Sequence, residues 1–467
     1  MSKTNEQAYR DRLRRYVTAM NRGVPDRIPI RFFLQEAAAR FQGVTNQEVA
    51  LDYQSAFDVT RRTAAELGID AVMLNAIWSN YGVGKAAGWR YLAVPGVDVA
   101  PDSVNQFSEP VREEDMFLQA GEYGEFIDDP TAFLFTKWLP RAAARVRFAG
   151  EPVDFDHNLS LISGALAYAG YMSAFGPAAA RLRAEGIVSA NSGMIKAPLD
   201  IMADKFRGYV NVCLDAADCP DKLFRACEAL MPHILANALA SADPDRQVPV
   251  TLWAHRGCVP YISMEMFDRV FWPTLKPVLE EIIRRGHQVL FYGEGNWEAH
   301  YGRLLELPEG GIVYHLDRGD PIEAARKLKH RFAVSGGLSY DVLSRGSTDD
   351  VKKHMNSLFE VMKPDGGYIL DASALMLSDV KPGNLRAAAD YTMEHGVYSR
   401  TFPAKPMGKP ESGPPIPGGK RPPGTCRPWE TEKAGYRNLC GDTEKVESSW
   451  KAADSAAYYY MWTTVLW

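Results

Sequence analysis

The chain has 467 residues, 46% of them hydrophobic, enough for one large α/β fold or two ordinary domains around a substantial core. Its formal net charge of −5 provides no broad basic footprint, which excludes nucleic acid and polybasic membrane docking and points to small molecules or proteins as partners. Cys213, Cys219, Cys227, Cys258, Cys426 and Cys440 form no CxxC pair or zinc-ribbon spacing, and the first residues hold no apolar signal-type core, so reduced thiols in the cytoplasm are expected.

Residues 8–21 carry Leu13, Val17 and Met20 at helical spacing, and Pro25-Asp26-Arg27 ends that helix before a first buried strand over 28–33. A helix over 53–67 closes at Gly68 and is followed by a strand over 71–74, the helix–Gly–strand cadence of an α/β fold. From about 102 to 188 the cadence fades and aromatic residues gather: Phe117, Tyr123, Phe126, Phe133, Phe135, Trp138, Tyr168, Tyr171 and Phe175. They fit either the core of a helical insertion or an aromatic wall for a substrate. Within this insertion the uncharged run 159–180 has the length of a membrane span. Ser160, Gly164, Gly170, Gly176 and Pro177 interrupt it, so buried helices or a lid over a pocket are expected instead.

The cadence returns with a strand over 248–253, a helical block over 263–285, strands ending at Glu294 and His315, a strand over 332–337, a helix over 348–362, a strand-like run over 366–371 and a helix over 384–395. Strand–helix units in line favour a parallel barrel over an open sheet for residues 1–400, with the insertion at about 102–188. Residues 401–467 form a Pro-rich C-terminal extension that turns aromatic at Tyr458-Tyr459-Tyr460-Met461-Trp462, and it is predicted to pack on the barrel or on a second copy of the chain, which would make a homo-oligomer.

Glu294 and His315 each stand where an apolar strand runs out, in Phe291-Tyr292-Gly293-Glu294-Gly295-Asn296 and in Gly311-Ile312-Val313-Tyr314-His315. Parallel strands bring such ends to one mouth, where a carboxylate and an imidazole can meet over a single ion.

Several segments in order resemble the uroporphyrinogen decarboxylase superfamily: Arg22-Gly23-Val24-Pro25-Asp26-Arg27-Ile28-Pro29-Ile30, Ile262-Ser263-Met264-Glu265-Met266-Phe267, the Glu294 segment, Ser335-Gly336-Gly337-Leu338 and Gly366-Gly367-Tyr368-Ile369-Leu370. The resemblance spans about 8–400 and implies a (β/α)8 barrel with one of two chemistries: metal-free decarboxylation of a tetrapyrrole, or zinc-dependent methyl transfer to or from a corrinoid protein. The decarboxylases' Arg-Gln-Ala-Gly-Arg stretch, whose arginines grip carboxylates, is replaced here by Arg31-Phe32-Phe33-Leu34-Gln35-Glu36-Ala37-Ala38-Ala39-Arg40. The His-x-Cys and second Cys of thiol-methylating members correspond to Tyr292, Glu294 and Ser373.

The branch that remains resembles O-demethylase methyltransferases, which implies Zn2+ at Glu294 and His315, with Glu280 one position short of that family's earlier interval. His255 and Cys258 are further ligand candidates. The expected reaction moves a methyl group between an aromatic or apolar, methyl ether-type substrate and the cobalt of a separate corrinoid protein, since no Asp-x-His-x-x-Gly corrinoid motif occurs in the chain. Glu294 and His315 would serve the leaving oxygen through the metal, Tyr292 would donate a proton or hydrogen bond to it, and Asp317 would orient His315 or form a structural ion pair. The alternatives are a metal-free lyase using Asp317 and Asp371, and a non-catalytic subunit that binds a hydrophobe.

Overall fold

Short apolar runs, each followed by a turn and a helix that returns the chain, place successive strands side by side in one direction. The computed structural model describes residues 3–466 except 77, 78, 105, 109, 111, 406, 407, 409, 412, 414, 415, 417–420 and 437. In chain order the strands are β1 (Arg31–Phe32), β2 (Ala71–Val72), β3 (Leu92–Ala93), β4 (Gln106–Phe107), β5 (Val188–Ser189), β6 (Gly193–Lys196), β7 (Val250–Ala254), β8 (Val289–Asn296), β9 (Ile312–Arg318), β10 (Ala333–Gly336) and β11 (Tyr368–Ile369). β3 and β4 make an antiparallel pair. The others are parallel, in the orders β1-β2-β5 and β11-β10-β9-β8-β7-β6.

The two parallel sheets are joined at both ends. Ile30 bridges Leu370, with the Arg31 N–H donating to the Leu370 carbonyl at 2.9 Å. At the other end residues 190–192 carry the chain from β5 directly into β6, and the Ser192 N–H reaches the Pro249 carbonyl at 3.0 Å.

The helices cover this framework by burying one stripe. In Trp272–Arg284 the buried positions Leu275, Val278, Leu279, Ile282 and Ile283 follow the i, i+3, i+4, i+7 rule. Thr348–Met362 buries Val351, Met355, Leu358, Phe359 and Met362, and starts at a capping box in which Ser347 and Asp350 satisfy each other's backbone N–H groups.

The insertion departs from expectation at 159–180. In place of several buried helices there is a single helix, Phe155–Ala184, with the length and hydropathy of a membrane-crossing segment, and it helps to wall a cavity. Its face of Ser160, Gly164, Tyr171, Ala174, Ala178 and Leu182 is packed on the chain, and small residues permit close approach: a Cβ at Gly164 would lie 3.0 Å from that of Ala87. Phe155, Ile162 and Leu166 on the other side are exposed. The other aromatic residues divide between the two alternatives: Phe117, Phe126, Phe133 and Trp138 build the insertion's core, whereas Tyr168 and Tyr171 face a cavity.

The aromatic tail packs on its own chain. Helix Thr443–Leu466 buries Tyr458, Met461, Trp462, Val465 and Leu466. The Trp462 indole stacks on His233 with centroids 3.9 Å apart and donates its N–H to Thr131 Oγ1 at 3.2 Å, while the Tyr458 hydroxyl lies 2.6 Å from His233 Nδ1. Ahead of it, Arg421 holds Asp129 through Nη2 at 2.7 Å. Truncation at this stack removes a large buried indole, so Trp462→Ala is expected to cost about 3–5 kcal/mol, measured as a lowered urea midpoint of the full chain.

Candidate active site

Register assembles the interior one residue per strand. Lys196 pairs with Trp253, Trp253 with Tyr292, Tyr292 with His315, and His315 with Ser335. Because side chains of paired residues share a face, the rings stack: Trp253 on Tyr292 at 4.1 Å and 9°, Tyr292 on His315 at 4.1 Å and 15°. Arg31 and Asp371 close this layer. The Arg31 guanidinium, fully buried, donates to Asp371 Oδ2 from Nε at 3.1 Å and from Nη2 at 2.8 Å, and Nη2 also reaches Ser335 Oγ at 3.1 Å and His315 Nδ1 at 3.0 Å.

Arginine can only donate, so His315 Nδ1 is the acceptor and the ring proton sits on Nε2, which donates to the Ser373 carbonyl at 3.1 Å. Burial, with Arg31 adding to it, holds the imidazole well below its usual pKa, so the ring is neutral. Burial also pushes the Asp371 carboxyl up to about 6, against the pull of Arg31.

Two residues further along β8 and β9, on the same face, come Glu294 and Asp317, and His255 follows Trp253 just beyond β7. Glu294 accepts the Trp253 indole N–H at 2.9 Å. Asp317 accepts the Gly295 N–H at 2.7 Å, and burial pushes its carboxyl up to about 6.

These contacts correct the expected site. Glu280, Glu294 and His315 do not converge as zinc ligands: both ring nitrogens of His315 are engaged inside the protein, and Glu280 lies off the buried stripe of its helix, where it faces Lys276 at 3.8 Å. Among the described residues no three His, Cys, Asp or Glu side chains come together as a metal site. Tyr292 is sealed inside the ring stack, its hydroxyl finds no hydrogen-bond partner among the described residues, and it does not line the cavity. Asp317 does not orient His315, whose ring nitrogens face Arg31 and the Ser373 carbonyl, and Asp371 is paired with Arg31. Cys258 is buried against Gly295. Of the expected residues, Glu294 and His255 face the cavity.

That cavity holds about 410 Å³. One end is polar, with Lys196, Asp204, Lys205, His255, Arg256 and Glu294; the rest is ringed by Tyr81, Trp89, Tyr91, Phe107, Tyr168 and Tyr171, and Thr463 and Thr464 of the C-terminal helix complete it. The wall phenols are tied to backbone, Tyr81 to the Gln106 carbonyl at 2.9 Å, Tyr171 to that of Ala76 at 2.9 Å and Tyr168 to that of Tyr459 at 3.1 Å, so they offer apolar ring faces inward.

The polar end grows from the segment after β6. Pro198 starts a short helix at its first turn, and the chain then widens into a π-helical turn, Met202–Arg207, that carries Asp204 and Lys205. Asp204 is the hub, held by Lys196 Nζ at 2.7 Å, His255 Nε2 at 3.0 Å and Arg256 Nη2 at 3.3 Å. Burial opposes its charge, but His255 and Lys196 outweigh it and hold the carboxyl well below the usual range. The same pairing raises His255 despite its burial. Asp200, which accepts the backbone N–H groups of His255 and Arg256 at 3.1 and 3.0 Å, is pushed up to about 6 by burial.

Residues 172–395 match the family model described as uroporphyrinogen decarboxylase (URO-D). Among solved structures, a methyltransferase from Methanosarcina mazei superposes with a TM-score of 0.55 at 14% identity, covering 82% of this chain and 98% of the other. No curated protein matches the sequence. The segment similar to that family covers a little under half of the chain.

The Asp317 carboxyl, at about 6 in the folded chain against 3.8 ordinarily, holds a proton that the unfolded chain has shed in between. Its favourable contribution is fully present below pH 3.8 and is lost as pH rises through about 6. Asp317→Asn keeps an acceptor for Gly295 and is expected to flatten the decline of urea midpoint across that window.

Proposed function

We propose that the parallel strands form one closed (β/α)8 barrel and that the protein is a methyltransferase. In this reading it moves a methyl group between an aromatic, methyl ether-type small molecule in the cavity and the cobalt of a separate corrinoid protein. The observation that carries the reading is the cavity itself: six aromatic side chains enclose a space whose one polar end lies at the C-terminal ends of β6, β7 and β8. The family match and the fold shared with a methyltransferase support it.

A corrinoid partner would supply the nucleophile that accepts the methyl group. The chain's own task is to place the ether and assist its oxygen, which departs poorly as an unassisted anion. Lys196 gives one of its three N–H donors to Asp204 and keeps the others for a substrate oxygen. Asp204 fixes that ammonium and the neighbouring His255, so the donors are oriented before the substrate arrives. The Trp253 indole, stacked on Tyr292 and bonded to Glu294, forms a rigid floor under the ring to be demethylated. Both ring nitrogens of His315 already have partners within the protein, so no step is assigned to a metal here.

Reduced corrinoid protein mixed with this protein and methoxy-, methylamino- or methylthio-aryl donors is expected to show a change in the cobalt spectrum. No change with any donor that binds would overturn methyl transfer. Lys196→Met is expected to lower the transfer rate about 100-fold, with a smaller effect on binding. Metal analysis offers a separate check: stoichiometric zinc lost in both Glu294→Ala and His315→Ala would contradict the engagement of both His315 nitrogens within the protein.

A further inference from the structure

Lys205 carries the amine of the cavity that, among the described residues, no acid answers. Lys196, His255 and Arg256 all converge on Asp204, and among the described residues Lys205 Nζ has neither a hydrogen bond nor an ion pair. The residue is only 3% exposed, yet it lines the cavity, with Nζ 4.2 Å from the Tyr91 ring centre and 5.0 Å from that of Phe107. Its backbone is pinned, because its carbonyl accepts the Trp138 indole N–H at 2.6 Å. Burial, reinforced by Lys196, holds the amine well below its ordinary pKa.

An amine in this position is costly to keep. The π faces of Tyr91 and Phe107 attract a cation but leave its N–H donors without lone-pair acceptors. A methionine would fill the same apolar space without that cost. A ligand oxygen anion would reverse the account, since it supplies the missing acceptor and favours the charged ammonium.

We propose that Lys205 is a recognition residue for a carboxylate on the ligand, so that the cavity takes aromatic acids. The proposal rests on the reading of this cavity as the substrate site and names the class of substrate. The ring would lie among the aromatic walls with its carboxylate on Lys205. Binding of an ionised acid would then draw a proton onto Lys205, which links affinity to pH: the carboxylate binds more weakly as pH rises and the amine becomes harder to protonate.

The test compares para-methoxycinnamate with its neutral primary amide by titration calorimetry on the full chain, without corrinoid. The wild type is expected to bind the carboxylate about tenfold or more tightly than the amide. In buffers of different ionisation enthalpy it should take up protons with the carboxylate and none with the amide. Lys205→Met is expected to abolish the preference and the proton uptake while keeping the amide's affinity. If Lys205→Met does not fold, Lys205→Gln reads the same preference. Equal binding of the two probes by the wild type, no binding of either, or a preference that survives in the folded variant would each overturn the proposal. Since no methyl transfer is measured, failure here leaves the methyltransferase reading standing, and a silent cobalt spectrum leaves the carboxylate preference standing.

Discussion

The buried pair Arg31–Asp371 is the constraint on which the interior turns. Both side chains are withdrawn from water, and their contact spans the seam where β1 meets β11. A charge there is tolerable only with its partner in place. The guanidinium gives Nε and Nη2 to Asp371 and turns Nη2 also to Ser335 and His315, which dictates the tautomer of the imidazole, while Nη1 has no hydrogen-bond partner among the described residues. A single ionic contact thus joins the two parallel sheets and fixes the polarity of the layer on which Tyr292 and Trp253 stack. It also explains why Arg31 is not available to grip a polyanion, although it stands where the decarboxylases begin their arginine-bearing stretch.

Above that layer the molecule separates two jobs. The strand ends and the turn after β6 furnish charged groups whose mutual pairing leaves them rigid, whereas the apolar walls are drawn from segments distant in sequence: the region after β2, the helix Phe155–Ala184 and the C-terminal helix. Rigidity at one end and assembled walls at the other suit a site that must orient one oxygen while tolerating variation in the ring that bears it.

Much of the scaffold was legible because periodicity is local. The helix expected over 348–362 is found at Thr348–Met362, and the strands expected to end at Glu294 and His315 end two and three residues later, at Asn296 and Arg318. The site was less legible because ligand geometry depends on which nitrogen or oxygen is already taken. His315 reads as a strand-end ligand, but Arg31, far away in sequence, consumes its free lone pair. Glu280 keeps a plausible interval from Glu294 and yet projects from a helix flank. Conversely, Lys196, Asp204 and Lys205 went unremarked, although a lysine ending the apolar run Met194-Ile195 and two acids four positions apart after Pro198 are unusual where a buried strand gives way to a helix. The aromatic insertion could not be resolved from composition because its rings serve packing and cavity alike.

The placement of Thr463 and Thr464 on the cavity wall has a consequence for how the protein comes into being. The parallel strands are all synthesised before the helix Thr443–Leu466 leaves the ribosome, so the chamber stays unfinished until that late segment docks against His233 and Thr131. Docking and occupancy are then thermodynamically reciprocal: whatever fills the chamber tightens the hold on the helix, and whatever loosens the helix weakens retention of the guest by the same factor.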